Sequence, residues 1–305
     1  MDSPTDTVLT LDDLGHWAFA GTALAVLGHP IAHSLSPVMH HAALAELARK
    51  DQAFAGWRYF RLDVPPERLD EALERLRTCG FAGLNLTVPH KVLACRMVRE
   101  VDSAAEPLGA VNTLVPMAGG WRGHNTDGYG LTKALREELG AGLPGAHVIL
   151  LGAGGAARSA AVECLQQQCA SLWIANRTRA RLDELLALVQ PLARTAPVRG
   201  FTPDAPPVDL PAGAIVINAT SAGLRAGDPA PIDLRRLPRP ASVFDMIYNP
   251  PQPPLLRQAA ALGLPRANGL AMLVHQGARA LEIWTGAAVP ALIMRTAVER
   301  ALPRR

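Results

Sequence analysis

Short, largely apolar runs alternate with longer amphipathic ones through the first part of the chain. Residues 23–27, 56–62 and 83–88 read as strands, and residues 37–49 and 66–79 read as the helices between them. Their alternation with helices predicts a parallel α/β sheet. A second series follows the glycine-rich stretch 140–145, with strands predicted at 146–151, 171–175, 214–218 and 242–245 and helices at 156–168 and 179–189. A further helix is expected over 131–139. The proline-rich stretches 203–211 and 229–240 read as loops. Leu270, Leu273, Val274, Ala280, Leu281 and Trp284 recur at helical spacing beyond the second series, so that helix is expected to pack back on the first domain.

With 305 residues and 49% hydrophobic positions, the chain is long enough for a core in each of two domains. Its longest apolar run, near residues 17–28, falls short of the roughly 18–20 residues that span a bilayer. Asp2, Asp6, Asp12 and Asp13 make the N-terminus too acidic for a secretory leader, so no membrane association and a cytoplasmic location are expected. Cys79, Cys95, Cys164 and Cys169 form no metal-ligand spacing and read as reduced structural thiols; no metal is expected. A net charge of +3 without a basic cluster gives no support for a nucleic-acid partner and points to a small-molecule substrate. Only Lys50, Lys91 and Lys133 among the 30 basic residues are lysines, which draws attention to any lysine in a special setting.

The clearest chemical signal is the run 148–157, a buried strand that enters G-x-G-x-x-A and then an alanine-rich helix. Gly152 permits a tight turn, Gly154 lets the backbone approach a pyrophosphate, and Ala157 allows close helix packing. The amides over Gly152, Ala153, Gly154, Gly155 and Ala156 would face phosphate charge. The next strand ends at Asn176, Arg177 and Thr178, where an NAD-preferring protein usually carries an acidic residue. Arg177 and Arg181 instead suit a 2′-phosphate, with Asn176 and Thr178 as neutral partners, so NADP is the expected cofactor. A solvated helix start is the alternative for the two arginines, but positive charge there opposes the helix dipole.

Three polar clusters lie in the first half. Ser34 and Ser36 precede a helix, with Ser36 reading as its N-cap and Pro37 in its first turn; two hydroxyls there could also hold a carboxylate. Residues 83–91 deliver Lys91 from a strand end, either toward a ligand crevice or as a surface charge starting a helix. Asp127 follows Asn125 and Thr126, either as a turn residue ahead of a helix or as a carboxylate at the junction of the two series.

Together these landmarks resemble shikimate dehydrogenase from about residue 24 to 286. They include S-x-S at Ser34 and Ser36, N-x-T-x-P-x-K ending in Lys91, and Val111-Asn112-Thr113. They continue with Asn125-Thr126-Asp127-Gly128, the Gly152 turn, residues 218–223, residues 245–250 and residues 272–276. The resemblance implies reversible, NADP-dependent reduction of 3-dehydroshikimate to shikimate. It implies a substrate-binding domain of residues 1–126 with 268–305, and a Rossmann-like NADP domain of residues 127–267. It further implies that Ser34 and Ser36 bind the substrate carboxylate, and that Thr87, Asn112, Tyr248 and Gln276 contact its oxygens. Lys91 and Asp127 would be the catalytic pair, with the proton transferred by one or the other. Met246 and Gly269 would join the cofactor set.

The chain departs from the usual pattern in about 20 residues before its first strand, in His41 where asparagine is common, and in Pro253 where threonine is common. The rival readings are a quinate/shikimate dehydrogenase with dual substrate or cofactor use and a non-catalytic NADP or metabolite sensor. Ser36, Arg177 and Arg181 weigh against the first, and intact Lys91 and Asp127 against the second. A monomer or homodimer is expected.

Overall fold

A computed structural model describes residues 7–302; Asp2 and Asp6 of the acidic N-terminus lie outside them. The chain divides into two compact units, Met1–Thr126 with Gln276–Arg305 and Asp127–His275.

The first unit holds a seven-stranded sheet of β1 (Val8–Leu9), β2 (Thr22–Gly28), β3 (Trp57–Asp63), β4 (Gly83–Leu86), β5 (Glu100–Val101), β6 (Thr113–Met117) and β7 (Gly120–His124), in the order β1-β3-β2-β4-β6-β7-β5. The parallel pairing expected from the strand–helix alternation holds for β1 to β4, whereas β6 runs antiparallel to both β4 and β7. Only two residues separate β6 from β7, a connection that an antiparallel pair allows and a parallel pair does not. The reversal matters for the site. Asn85 of β4 pairs with Thr113 at the start of β6, so β6 begins at the edge where the parallel strands end.

Helices α1 (Ser36–Lys50), α2 (Leu69–Thr78) and α3 (His90–Cys95) follow β2, β3 and β4. Helix α1 buries Met39, His40, Ala43, Leu44 and Leu47, the one-face spacing of an amphipathic helix. The C-terminal helix α9 (Ala291–Ala301) packs on α1, so the end of the chain returns to the first unit. The N-terminal extension is built in: β1 pairs with β3, and Leu11 and Leu14 are buried. His41 also gains a structural account, since its Nε2 accepts the Tyr59 backbone N–H at 3.0 Å.

The second unit opens with α4 (Asp127–Leu139). Its sheet contains β8 (His147–Leu151), β9 (Ser171–Ala175), β10 (Val198–Phe201), β11 (Ile215–Asn218), β12 (Ser242–Asp245) and β13 (Arg266–Asn268). All neighbouring strands are parallel, in the order β10-β9-β8-β11-β12-β13. Counted within the unit this is the doubly wound Rossmann order, which reverses between β8 and β11. Helices α5 (Gly155–Gln166), α6 (Arg179–Val189) and α7 (Pro254–Ala261) connect its strands, and α8 (Leu270–Thr285) contains the boundary between the units. Among the described residues, no helix is long and apolar enough to cross a membrane, and no cluster of His, Cys, Asp or Glu could hold a metal. All four cysteines are free thiols.

Candidate functional site

In the second unit the site residues gather where the parallel strands end, the edge at which open α/β sheets bind ligands. Gly152 follows β8 with φ +114°, and a Cβ there would lie 3.0 Å from Thr220 Cγ2 and 3.1 Å from the Ala219 carbonyl. That backbone conformation and the close approach of the β11 loop both select glycine. Ala153 is buried, and Gly154 caps α5 in an extended conformation. A Cβ on Gly154 or Gly155 would meet nothing within 4 Å, so there is open space beside the first turn of α5, which Ala156 continues. Unpaired amides facing that space suit a pyrophosphate. Ala157 is fully buried, as its packing role requires.

One strand over, Asn176 follows β9 and donates from Nδ2 to the Thr178 carbonyl at 2.8 Å, folding the turn ahead of α6. Arg177, Thr178 and Arg181 are exposed. Arg179 is tied to Asp183 at 2.9 Å, whereas neither Arg177 nor Arg181 forms an ion pair among the described residues. The two arginines thus present charge to solvent at a helix start, a setting suited to an anion.

At the ends of β11 and β12, Asn218 Nδ2 donates to Asp245 Oδ1 at 2.9 Å, while Asn218 Oδ1 accepts from the Thr220 amide and hydroxyl at 2.9 and 2.7 Å. Asp245 also accepts the Ile247 N–H at 3.0 Å; its carboxyl is fully buried, and burial pushes its pKa up to about 6. These bonds fix the loop that carries Met246 and Tyr248, the latter a half-buried phenol whose pKa is raised by burial. Gly269 follows β13, where a Cβ would collide with the Met246 carbonyl. Glycine is therefore demanded there by the passage of one backbone over another.

In the first unit, the cap expected at Ser36 is corrected: Leu35 is the N-cap position, Ser36 is the first residue of α1, and Ser34 Oγ accepts the Ser36 N–H at 3.3 Å. Ser34 supplies the local bond, and the Ser36 side chain instead lies beside the buried Tyr59 phenol. Tyr59 in turn donates to Asn85 Oδ1 at 2.7 Å, and Asn85 Nδ2 donates to the Asn112 carbonyl at 3.0 Å and to Thr113 Oγ1 at 3.1 Å. Asn112 Nδ2 donates to Thr126 Oγ1 at 3.0 Å, and its Oδ1 accepts the Thr126 N–H at 2.9 Å. A buried polar chain therefore links Tyr59 to Thr126. Thr87 lies half-buried just past β4, its amide on the Leu27 carbonyl.

Lys91 lies in the first turn of α3, and its carbonyl accepts the Val111 N–H at 2.9 Å. The side chain is half-buried, as is that of Gln276 in α8. Asp127 is not ahead of its helix but is the first residue of α4, 4% exposed, with Oδ2 3.5 Å from Ser159 Oγ of α5. Four residues of this polar framework, Tyr59, Asn85, Asn218 and Asp245, had no role assigned from the sequence. The available signal was a polar residue inside or ending an otherwise apolar strand.

The family model described as the shikimate dehydrogenase substrate binding domain matches residues 26–114, and that of the shikimate 5′-dehydrogenase C-terminal domain matches residues 269–299. The shikimate dehydrogenase (NADP(+)) of Symbiobacterium thermophilum is 41% identical over 289 residues, covering 92% of this chain and 95% of that protein. The crystal structure of shikimate 5-dehydrogenase from Thermus thermophilus with NADP(H) and shikimate is 36% identical with a TM-score of 0.79, covering 92% of this chain and all (100%) of that one. The ligand-free 5-ketofructose reductase of Gluconobacter sp. strain CHM43 has the same TM-score of 0.79 at 31% identity, covering 93% of this chain and 100% of that one.

Proposed function

The chain belongs to the shikimate dehydrogenase family, and on that premise we propose that it catalyses the reversible, NADPH-dependent reduction of 3-dehydroshikimate to shikimate. The observation that carries this reading is that the S-x-S turn, Thr87 and the Gly152 turn each follow a parallel strand, while Asn112 precedes the one reversed strand, which starts at that same edge. Each unit therefore concentrates its polar residues at the ligand-binding edge of its sheet.

The residues fit NADP. Open space beside Gly154 and Gly155 suits the pyrophosphate, and Arg177 and Arg181, without ion-pair partners among the described residues, suit the 2′-phosphate. Asn176 and Thr178 complete that end, and Met246 and Gly269 line the cofactor's other end. The NADP domain on this reading corresponds to the unit that begins at Asp127, and the substrate domain to the unit that holds residues 1–126 and the C-terminal segment.

NADPH, when bound, supplies a hydride to the ring carbonyl carbon. Negative charge then develops on the carbonyl oxygen, and the Lys91 ammonium stabilises it and donates the proton that completes the alcohol. Asp127 accepts a hydrogen bond from the substrate hydroxyl and so orients it. Ser34 and Ser36 hold the carboxylate, and Thr87, Asn112, Tyr248 and Gln276 contact the remaining oxygens.

The test is shikimate-dependent formation of reduced nicotinamide by the purified chain with NADP+. Sustained turnover supports the reading. Binding of both compounds without turnover would make the chain a sensor, and turnover confined to a neutral ketose such as 5-ketofructose would replace the carboxylate substrate.

A further inference from the structure

Arg61 of β3 is only 8% exposed, the one lysine or arginine so deeply buried among the described residues. Its Nε donates to the Ser34 carbonyl at 3.0 Å, and Ser34 Oγ in turn accepts the Ser36 N–H. Two residues away on the same strand face, Tyr59 is buried beside the Ser36 side chain. Strand pairing sets Arg61 beside Val26, and Val26 beside Asn85, so the cation belongs to the polar row beneath the S-x-S turn. The neighbouring carboxylate on the strand, Asp63, is engaged by His29 Nδ1 at 2.5 Å.

A serine pair offers a carboxylate neutral hydrogen bonds and no compensating charge. A guanidinium held out of water is felt more strongly, and over a longer distance, than one at the surface. We propose that Arg61 is a specificity-determining residue of this site: its buried charge, acting through the turn it anchors, selects substrates that carry a carboxylate over neutral analogues. This rests on the function proposed above.

The test compares shikimate with its methyl ester, as substrate or competitive inhibitor, in the wild-type chain, Arg61→Met and Arg61→Lys. Arg61→Met is expected to weaken binding of shikimate by about tenfold or more while changing ester binding less than about twofold, so that acid-over-ester preference collapses. Arg61→Lys keeps the charge but loses the Nε bond to Ser34, and it retains part of the preference. A purely structural role would weaken acid and ester by the same factor, and that result, or an unchanged preference in Arg61→Met, overturns the proposal. If Arg61→Met does not fold, a lysine variant with no acid preference overturns it and one with a partial preference supports it. Absence of wild-type turnover on shikimate would instead fail the functional reading.

Discussion

The Tyr59 phenol donates to Asn85 Oδ1 at 2.7 Å inside the first sheet, and this bond fixes which way the Asn85 amide points. With its oxygen committed to Tyr59, the nitrogen end must serve the Asn112 carbonyl and Thr113 Oγ1. Asn85→Asp replaces that buried donor with an acceptor facing a carbonyl. It is expected to lower stability by about 2–4 kcal/mol in urea unfolding. An unchanged midpoint would remove the network from the account of the fold.

Two buried titratable groups pull stability in opposite directions with pH. His40 stacks on Tyr59 at 4.0 Å with Nδ1 2.7 Å from the Ser36 carbonyl, and burial holds its pKa down to about 3 from an ordinary 6.5. Its contribution is present above pH 6.5 and is lost as pH falls toward 3, because the unfolded chain takes up the proton first. Asp245 behaves oppositely: with its pKa raised to about 6 from 3.8, its contribution is present below 3.8 and is lost as pH rises through about 6. His40→Phe should therefore flatten the acid-side loss of stability. Asp245→Asn should raise stability near neutrality relative to its value at about pH 4, by on the order of 2 kcal/mol. Urea midpoints across the pH range check both, and slopes that match the wild type would refute them.

Arg177→Ala is expected to weaken NADP binding about 10- to 100-fold and to leave NAD binding nearly unchanged, because the lost partner is the 2′-phosphate alone. Titration of both cofactors is the measurement. Equal losses would refute the phosphate assignment.

For Lys91→Ala, kcat is expected to fall by about 10²- to 10⁴-fold with a modest change in KM, since the ammonium acts mainly on charge that develops in the transition state. Unchanged turnover would remove Lys91 from the mechanism.

The second sheet was legible because its central strands are continuous apolar runs separated by helices, and the Gly152 turn follows the first of them. The β6–β7 hairpin was not: Pro116, Gly119 and Gly120 break up the apolar pattern, and two short strands satisfy each other through backbone pairing. From sequence Asp127 reads either as a turn residue ahead of a helix or as a junction carboxylate; in the structure it begins α4, which packs against α5. Ser34, Ser36, Lys91 and Asp127 could be named from spacing and resemblance. Arg61 could not, because in sequence it is one arginine among many, and only its burial beneath the S-x-S turn distinguishes it.

The central claim is tested most directly by kcat/KM for shikimate with NADP+ set against quinate with NAD+ in the same wild-type preparation. The account predicts that the shikimate and NADP+ pair is preferred by about 100-fold or more, as missing charge-assisted contacts would require. Comparable values for the two pairs would contradict it and make the chain a dual quinate/shikimate enzyme.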